Sequence, residues 1–247
     1  MPKLNNIDSI NVTSTGNFSF SGVRPDPLVL TARKYTLATI IVDTTGSVTG
    51  FEASLLDSVK ASVESCRSSP MPENLLIRLV EFNSHVGINE IHGFLPLKDI
   101  DVNQYDPFVP KGATNLYDAI YHSVDASHKY AKILDDQDYL TNAVVFIITD
   151  GEDNSSKFGP MQVKSIIGEA VKDEYLESIQ TLLIGIAAGS YANNLQTVQT
   201  NLGITQFIDI KDASAKNLAK LAAFITKSIS STSQALGTGG PSQSLVF

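Results

Sequence analysis

The chain has 247 residues, 43% of them hydrophobic and 18% charged, so it can fill a sizeable core and is not disordered throughout. Lys plus Arg number 18 against 26 Asp plus Glu, a net charge of −8, which argues against nucleic acid and an anionic membrane surface as partners. The single cysteine, Cys66, excludes an intramolecular disulfide and a multi-cysteine zinc site.

Residues 1–34 form a polar, turn-rich extension with no signal-peptide pattern, and a cytoplasmic location is the expectation. Within it, Phe18-Ser19-Phe20-Ser21 alternates as an edge strand would. From residue 35 the pattern changes. Residues 35–42 are an unbroken, β-branched run that suits a strand buried on both faces and ends at Asp43. Phe51, Leu55, Val59 and Val63 recur at helical spacing over residues 50–66. Residues 75–82 read as a second strand, and residues 86–94 as a shorter one, antiparallel at an edge. A polar segment leads to Gly112-Ala113-Thr114 and a helix over 116–131. Residues 142–149 repeat the buried-strand pattern and again end at an Asp, Asp150. A helix over 162–176, a strand over 181–187, a short helix over 194–201, a short strand over 206–209 and a helix over 213–228 follow. Residues 230–247 are Ser/Gly-rich and read as a flexible or extended tail. Its apolar end, Ser244-Leu245-Val246-Phe247, could dock on a neighbouring copy and so support a homo-oligomer.

Strands alternating with helices predict an α/β domain over residues 35–229 with a mostly parallel sheet and helices on both faces. In such a sheet ligands bind at the carboxyl ends of the strands, where Asp43 and Asp150 fall. In an extended segment Asp43, Thr45 and Ser47 would point one way. With Thr114 and Asp150 they offer two carboxylates and three hydroxyls, an all-oxygen set suited to a hard cation such as Mg²⁺. Neutral hydroxyls leave part of the ion's charge uncompensated, so an acidic side chain of a partner protein could complete the shell.

Asp43-x-Thr45-x-Ser47, then Thr114, then Thr149-Asp150-Gly151 resemble the metal-ion-dependent adhesion site (MIDAS) of von Willebrand factor A-type domains, over residues 35–228. The resemblance implies a Rossmann-like, doubly wound, six-stranded sheet with one antiparallel edge strand. It also implies cation-dependent binding of protein ligands without catalysis, with Mg²⁺ as the cofactor and Mn²⁺ or Ca²⁺ as substitutes. Thr45 and Ser47 would hold the metal directly, Asp43 and Asp150 directly or through water, and Thr114 would enter or leave the shell as a partner arrives. Thr45 stands where the family usually has Ser, which keeps the oxygen but stiffens the side chain.

Two other readings compete. One is a scaffold of the same fold that does not use the metal. The other is a Mg²⁺-dependent phosphohydrolase, but haloacid-dehalogenase-like enzymes need Asp-x-Asp, and here the second position is Thr45, which cannot serve as the general acid. Taken singly, Asp43 and Thr114 also suit helix caps. His85, His92, His122 and His128 have no paired ligand spacing and read as structural or surface groups.

Overall fold

The computed structural model describes residues 9–13, 18–239 and 245–247. Eight strands form one sheet: β1 (Ser9–Thr13), β2 (Ser19–Val23), β3 (Lys34–Asp43), β4 (Leu75–Asn83), β5 (Gly87–Pro96), β6 (Leu140–Thr149), β7 (Ile179–Ile186) and β8 (Gln206–Ile210). Five α-helices flank it: α1 (Glu52–Ser65), α2 (Leu116–Asp135), α3 (Pro160–Lys172), α4 (Ala192–Leu202) and α5 (Ala215–Thr238). The strand order is β1-β2-β5-β4-β3-β6-β7-β8. Strands β4, β3, β6, β7 and β8 are parallel neighbours, and β5 runs antiparallel to β4. This is the expected mixed α/β architecture.

The central strands are apolar on both faces because both faces are covered. Ala38, Ile40 and Val42 of β3 pack toward α1 and α5, while Ile41 packs toward α2 and α3. Neighbouring strands repeat this division, so each face of the sheet carries its own apolar layer. The chain leaves β3 toward β4 on one side and returns to β6 on the other. The reversal of strand order therefore falls between β3 and β6, and it opens a crevice at their carboxyl ends.

Two features go beyond the sequence expectation. The six strands expected over residues 35–228 are present as β3 to β8, with β5 antiparallel, and the N-terminal extension adds two more: β1 and β2 pair antiparallel and β2 continues the sheet beside β5. The antiparallel strand β5 is thus covered, and β1 is the edge. An ion pair fastens this addition. Arg78, fully buried on β4, donates through Nε to Glu90 Oε2 at 2.6 Å. Glu90 Oε1 accepts the Ser21 N–H at 2.8 Å and the Ser21 hydroxyl at 2.6 Å. The Phe18 and Phe94 rings lie 5.6 and 5.9 Å from the guanidinium carbon.

The second departure is the last helix, which continues to Thr238 where an extended tail was expected. Leu236 is buried on the domain, Lys34 Nζ donates to the carbonyls of Leu236 and Gly237 at 3.1 and 3.2 Å, and Gly239 closes the helix in the left-handed region at φ 74°. Of the tail's apolar end, Ser244 lies outside the described residues. Leu245 accepts a hydrogen bond from Gln206 Nε2 at 3.1 Å, and the Phe247 ring lies 5.6 Å from that of Phe224. The tail's end therefore rests on its own domain. No helix among the described residues is long and apolar enough to cross a membrane.

Candidate metal-binding edge

Asp43 ends β3 and is fully buried. Its Oδ1 accepts the Thr45 N–H at 2.9 Å, and its Oδ2 accepts the Thr149 hydroxyl at 2.6 Å. Thr149 is the last residue of β6, so this bond joins the two strands on either side of the crevice. The backbone after Thr45 makes a short 3-10 turn over Gly46–Val48 rather than the extended run that the spacing suggested. The two hydroxyls meet nonetheless: Thr45 Oγ1 lies 2.9 Å from Ser47 Oγ. Ser47 Oγ in turn donates to Asp150 Oδ1 at 2.8 Å. Asp43, Thr45, Ser47 and Asp150 are therefore linked through local hydrogen bonds.

Thr114 reaches this edge by its loop. Gly46 N–H donates to the Gly112 carbonyl at 3.2 Å, and Lys111 N–H to the Thr44 carbonyl at 3.0 Å. Gly112 adopts φ 75°, and a Cβ there would sit 2.7 Å from Ser84 Oγ, so both the turn and the close approach require glycine. The Thr114 side chain is 5% exposed and makes no hydrogen bond among the described residues. Neither Asp43 nor Thr114 caps a helix: the residues before α1 and α2 are Phe51 and Asn115.

Burial shapes the electrostatics. It pushes the Asp43 carboxyl up from 3.8 to about 6; the hydrogen bonds from Thr149 and Thr45 pull the other way, and the nearby Asp150 carboxylate adds to the rise. Burial also raises Asp150, opposed by the Ser47 hydrogen bond. A buried carboxylate with a second, partly exposed one nearby favours either a proton or a cation between them. Among the described residues there is no group of three or more His, Cys, Asp or Glu side chains that could hold a metal. The donor set here is two carboxylates with hydroxyls. That chemistry fits a hard, water-retaining cation and not a soft one.

Sequence reasoning missed Thr149 as the support of Asp43. Its only signal is a hydroxyl one residue before Asp150, within the motif. The surroundings of the site include apolar groups open to solvent: Val86 (45% exposed), Val109 (70%), Met161 (84%) and Tyr191 (47%) lie in or beside the loops at this edge. A groove of about 310 Å³, lined by Tyr117, Glu152, Asn194, Val198 and Leu202 among others, opens beside the loop that follows Asp150.

No protein-family model matches the chain, and no curated protein is significantly similar to it in sequence. Solved structures do share its fold. Proximal thread matrix protein 1 (PTMP1) from the mussel byssus superposes with a TM-score of 0.57 at 15% identity, over 78% of this chain and 47% of that one. A second structure of PTMP1, with a zinc-occupied MIDAS motif, gives 0.57 and 15% over 79% and 48%. The pilus adhesin SpaC from Lactobacillus rhamnosus GG gives 0.57 at 12% identity over 94% of this chain and 36% of its own. The chain thus spans half or less of each neighbour's length, and what it shares with them is the fold, which is von Willebrand factor A-like.

Proposed function

We propose that this domain binds a partner protein through a divalent cation, with Mg²⁺ the first choice and Mn²⁺ or Ca²⁺ as substitutes. Asp43, Thr45, Ser47, Thr114 and Asp150 would hold the ion. The carrying observation is the Ser47–Asp150 hydrogen bond of 2.8 Å, which draws donors from two neighbouring strand ends to one place. The buried Asp43 beneath it needs charge compensation above about pH 6. When bound, the ion supplies that compensation and offers an open position to an anionic oxygen. An acidic side chain of the partner suits that position. The exposed Val86, Val109, Met161 and Tyr191 then give the partner apolar surface around the anchor. The fold neighbours support a role in binding proteins: one is a matrix protein, one is an adhesin, and one structure carries zinc in its MIDAS motif. We propose binding without catalysis.

A second reading has its own observation. Asp43 and Asp150 already accept hydrogen bonds from Thr149, Thr45 and Ser47, so the edge is partly satisfied with no ion at all. A scaffold that dispenses with the metal would look the same. Affinity capture from the native lysate separates the two. Partners retained in Mg²⁺ but released by chelator, and absent with an Asp150→Ala bait, support the metal-dependent reading. Partners indifferent to both changes favour the scaffold.

A further inference from the structure

The loop bearing Thr114, with the first turn of α2, and the loop following Asp150 are bonded to each other between residues 114–118 and 153–158. Thr114 N–H donates to Asn154 Oδ1 at 2.8 Å. The Thr114 carbonyl accepts the N–H groups of Asn154 and Ser155 at 2.9 and 3.0 Å. In the first turn of α2, Tyr117 N–H donates to Asp153 Oδ1 at 3.2 Å and Asp118 N–H to Ser156 Oγ at 3.0 Å. These are amides that a helix start leaves without intrahelical partners, and here a distant loop satisfies them. The exchange is mutual. The Asp118 carboxylate, 8% exposed, accepts Lys157 N–H at 3.0 Å and Phe158 N–H at 2.8 Å. Bonds from backbone N–H to a buried carboxylate are charge-assisted and among the stronger ones.

We infer that Asp118 and Asn154 are positioning residues that lock these two loops into one body, so that Thr114 and the segment following Asp150 shift together or not at all. To move Thr114 alone would break bonds at its N–H and its carbonyl at once. The entry and exit of Thr114 that the family resemblance implied would then be a coupled motion of the two loops. Neither Asp118 nor Asn154 needs to touch the ion, yet both set how its donors face it, as outer-shell partners of metal ligands do. This inference rests on the metal-binding reading proposed above, although the lock itself is a property of the metal-free chain.

The test uses the full chain with Asp118→Asn, Asn154→Ala and Thr114→Ala, alone and combined. Amide hydrogen exchange without metal comes first. In Asp118→Asn, exchange rises together at Lys157, Phe158, Asn154, Ser155 and Thr114, although only the first two amides bond Asp118. A rise confined to Lys157 and Phe158 would overturn the single-body claim. Calorimetric titration with Mg²⁺ comes second. Asp118→Asn and Asn154→Ala each weaken binding about tenfold, and the Asp118→Asn loss is less than additive with Thr114→Ala. Unchanged Mg²⁺ affinity in both single variants, or full additivity, would overturn the positioning role. Absence of Mg²⁺ binding by the wild-type chain would instead remove the metal reading, and the exchange data alone would still decide whether the loops are locked.

Discussion

Ser47 donates its hydroxyl to Asp150 Oδ1 at 2.8 Å, bridging the carboxyl ends of β3 and β6 across the crevice where the strand order reverses. Ser47 is itself exposed, so its removal creates no cavity and costs the fold less than about 1 kcal/mol. It is, however, one of the proposed metal donors. Mg²⁺ at a hundredfold excess over its dissociation constant stabilises a binding domain by about 2.7 kcal/mol. We expect Ser47→Ala to leave the metal-free melting temperature nearly unchanged and to blunt the Mg²⁺-induced rise. Equal rises in both proteins, followed by scanning calorimetry, would remove Ser47 from the site.

Asp43 sets a pH dependence with a defined sign. Its carboxyl lies near 6 in the fold against 3.8 unfolded, so the folded state holds the extra proton between those values. Its contribution to stability is fully present below pH 3.8 and is lost as pH rises through about 6. The cost at neutral pH is on the order of 3 kcal/mol without a cation. We expect Asp43→Asn to stabilise the metal-free protein at pH 7, since the amide can still accept from Thr45 and donate to Thr149. The same variant should abolish Mg²⁺ stabilisation. Urea unfolding at pH 7 checks the first point, and a lower midpoint for Asp43→Asn than for the wild-type chain would refute it.

His92 acts in the opposite sense. Its Nδ1–H donates to the Gly93 carbonyl at 2.9 Å, so Nε2 is the acceptor and the Tyr105 hydroxyl donates to it at 2.8 Å. Burial lowers its pKa from 6.5 to about 4. The unfolded chain then binds the proton first, so stability is complete above pH 6.5 and declines as pH falls toward 4. The loss amounts to roughly 3 kcal/mol. His92 and Asp43 oppose each other over the shared window, which flattens the wild-type profile. His122, whose pKa burial likewise lowers to about 4, acts in the same sense as His92, so replacing His92 with Gln should lessen the loss of stability on acidification from pH 6 to pH 4. Superimposable pH profiles for the two proteins would contradict the assignment.

Glu90 is the sole ion-pair partner seen for the fully buried Arg78 among the described residues. Glu90→Gln strands that guanidinium and loosens the Ser21 bonds that hold β2. A loss of about 3–5 kcal/mol is expected, as for other broken buried pairs. The double change Arg78→Met with Glu90→Gln should cost less than Glu90→Gln alone, because no buried charge remains. Denaturant midpoints measure both, and a single variant no weaker than the double would argue against an unpaired-charge penalty.

Much of this architecture is legible in the sequence, for physical reasons. The runs ending at Asp43 and Asp150 lack polar alternation because both their faces are buried, and such runs announce central parallel strands. Asp43, Thr45 and Ser47 stand close enough in sequence that any compact turn brings them together. Only part of the β1–β2 addition was legible: the alternation at Phe18–Ser21 marked β2, but β1 and the place of the pair beside β5 were hidden, since the strands have five residues each and depend on Arg78 and Glu90 for attachment. The end of α5 was hidden by a Ser- and Gly-rich composition, and it is held by Lys34 and by burial of Leu236. The roles of Thr149 and Asp118 were equally invisible. Each depends on which residues the register and loop packing set opposite it, far away in the chain.

The most direct test is calorimetric titration of Mg²⁺ into the purified chain, beside Asp43→Asn and Asp150→Asn. One bound ion per wild-type chain, weakening as pH falls below about 6, and no binding in either variant is the expected result. Absence of saturable binding by the wild-type chain, or binding that survives both substitutions, would contradict the account.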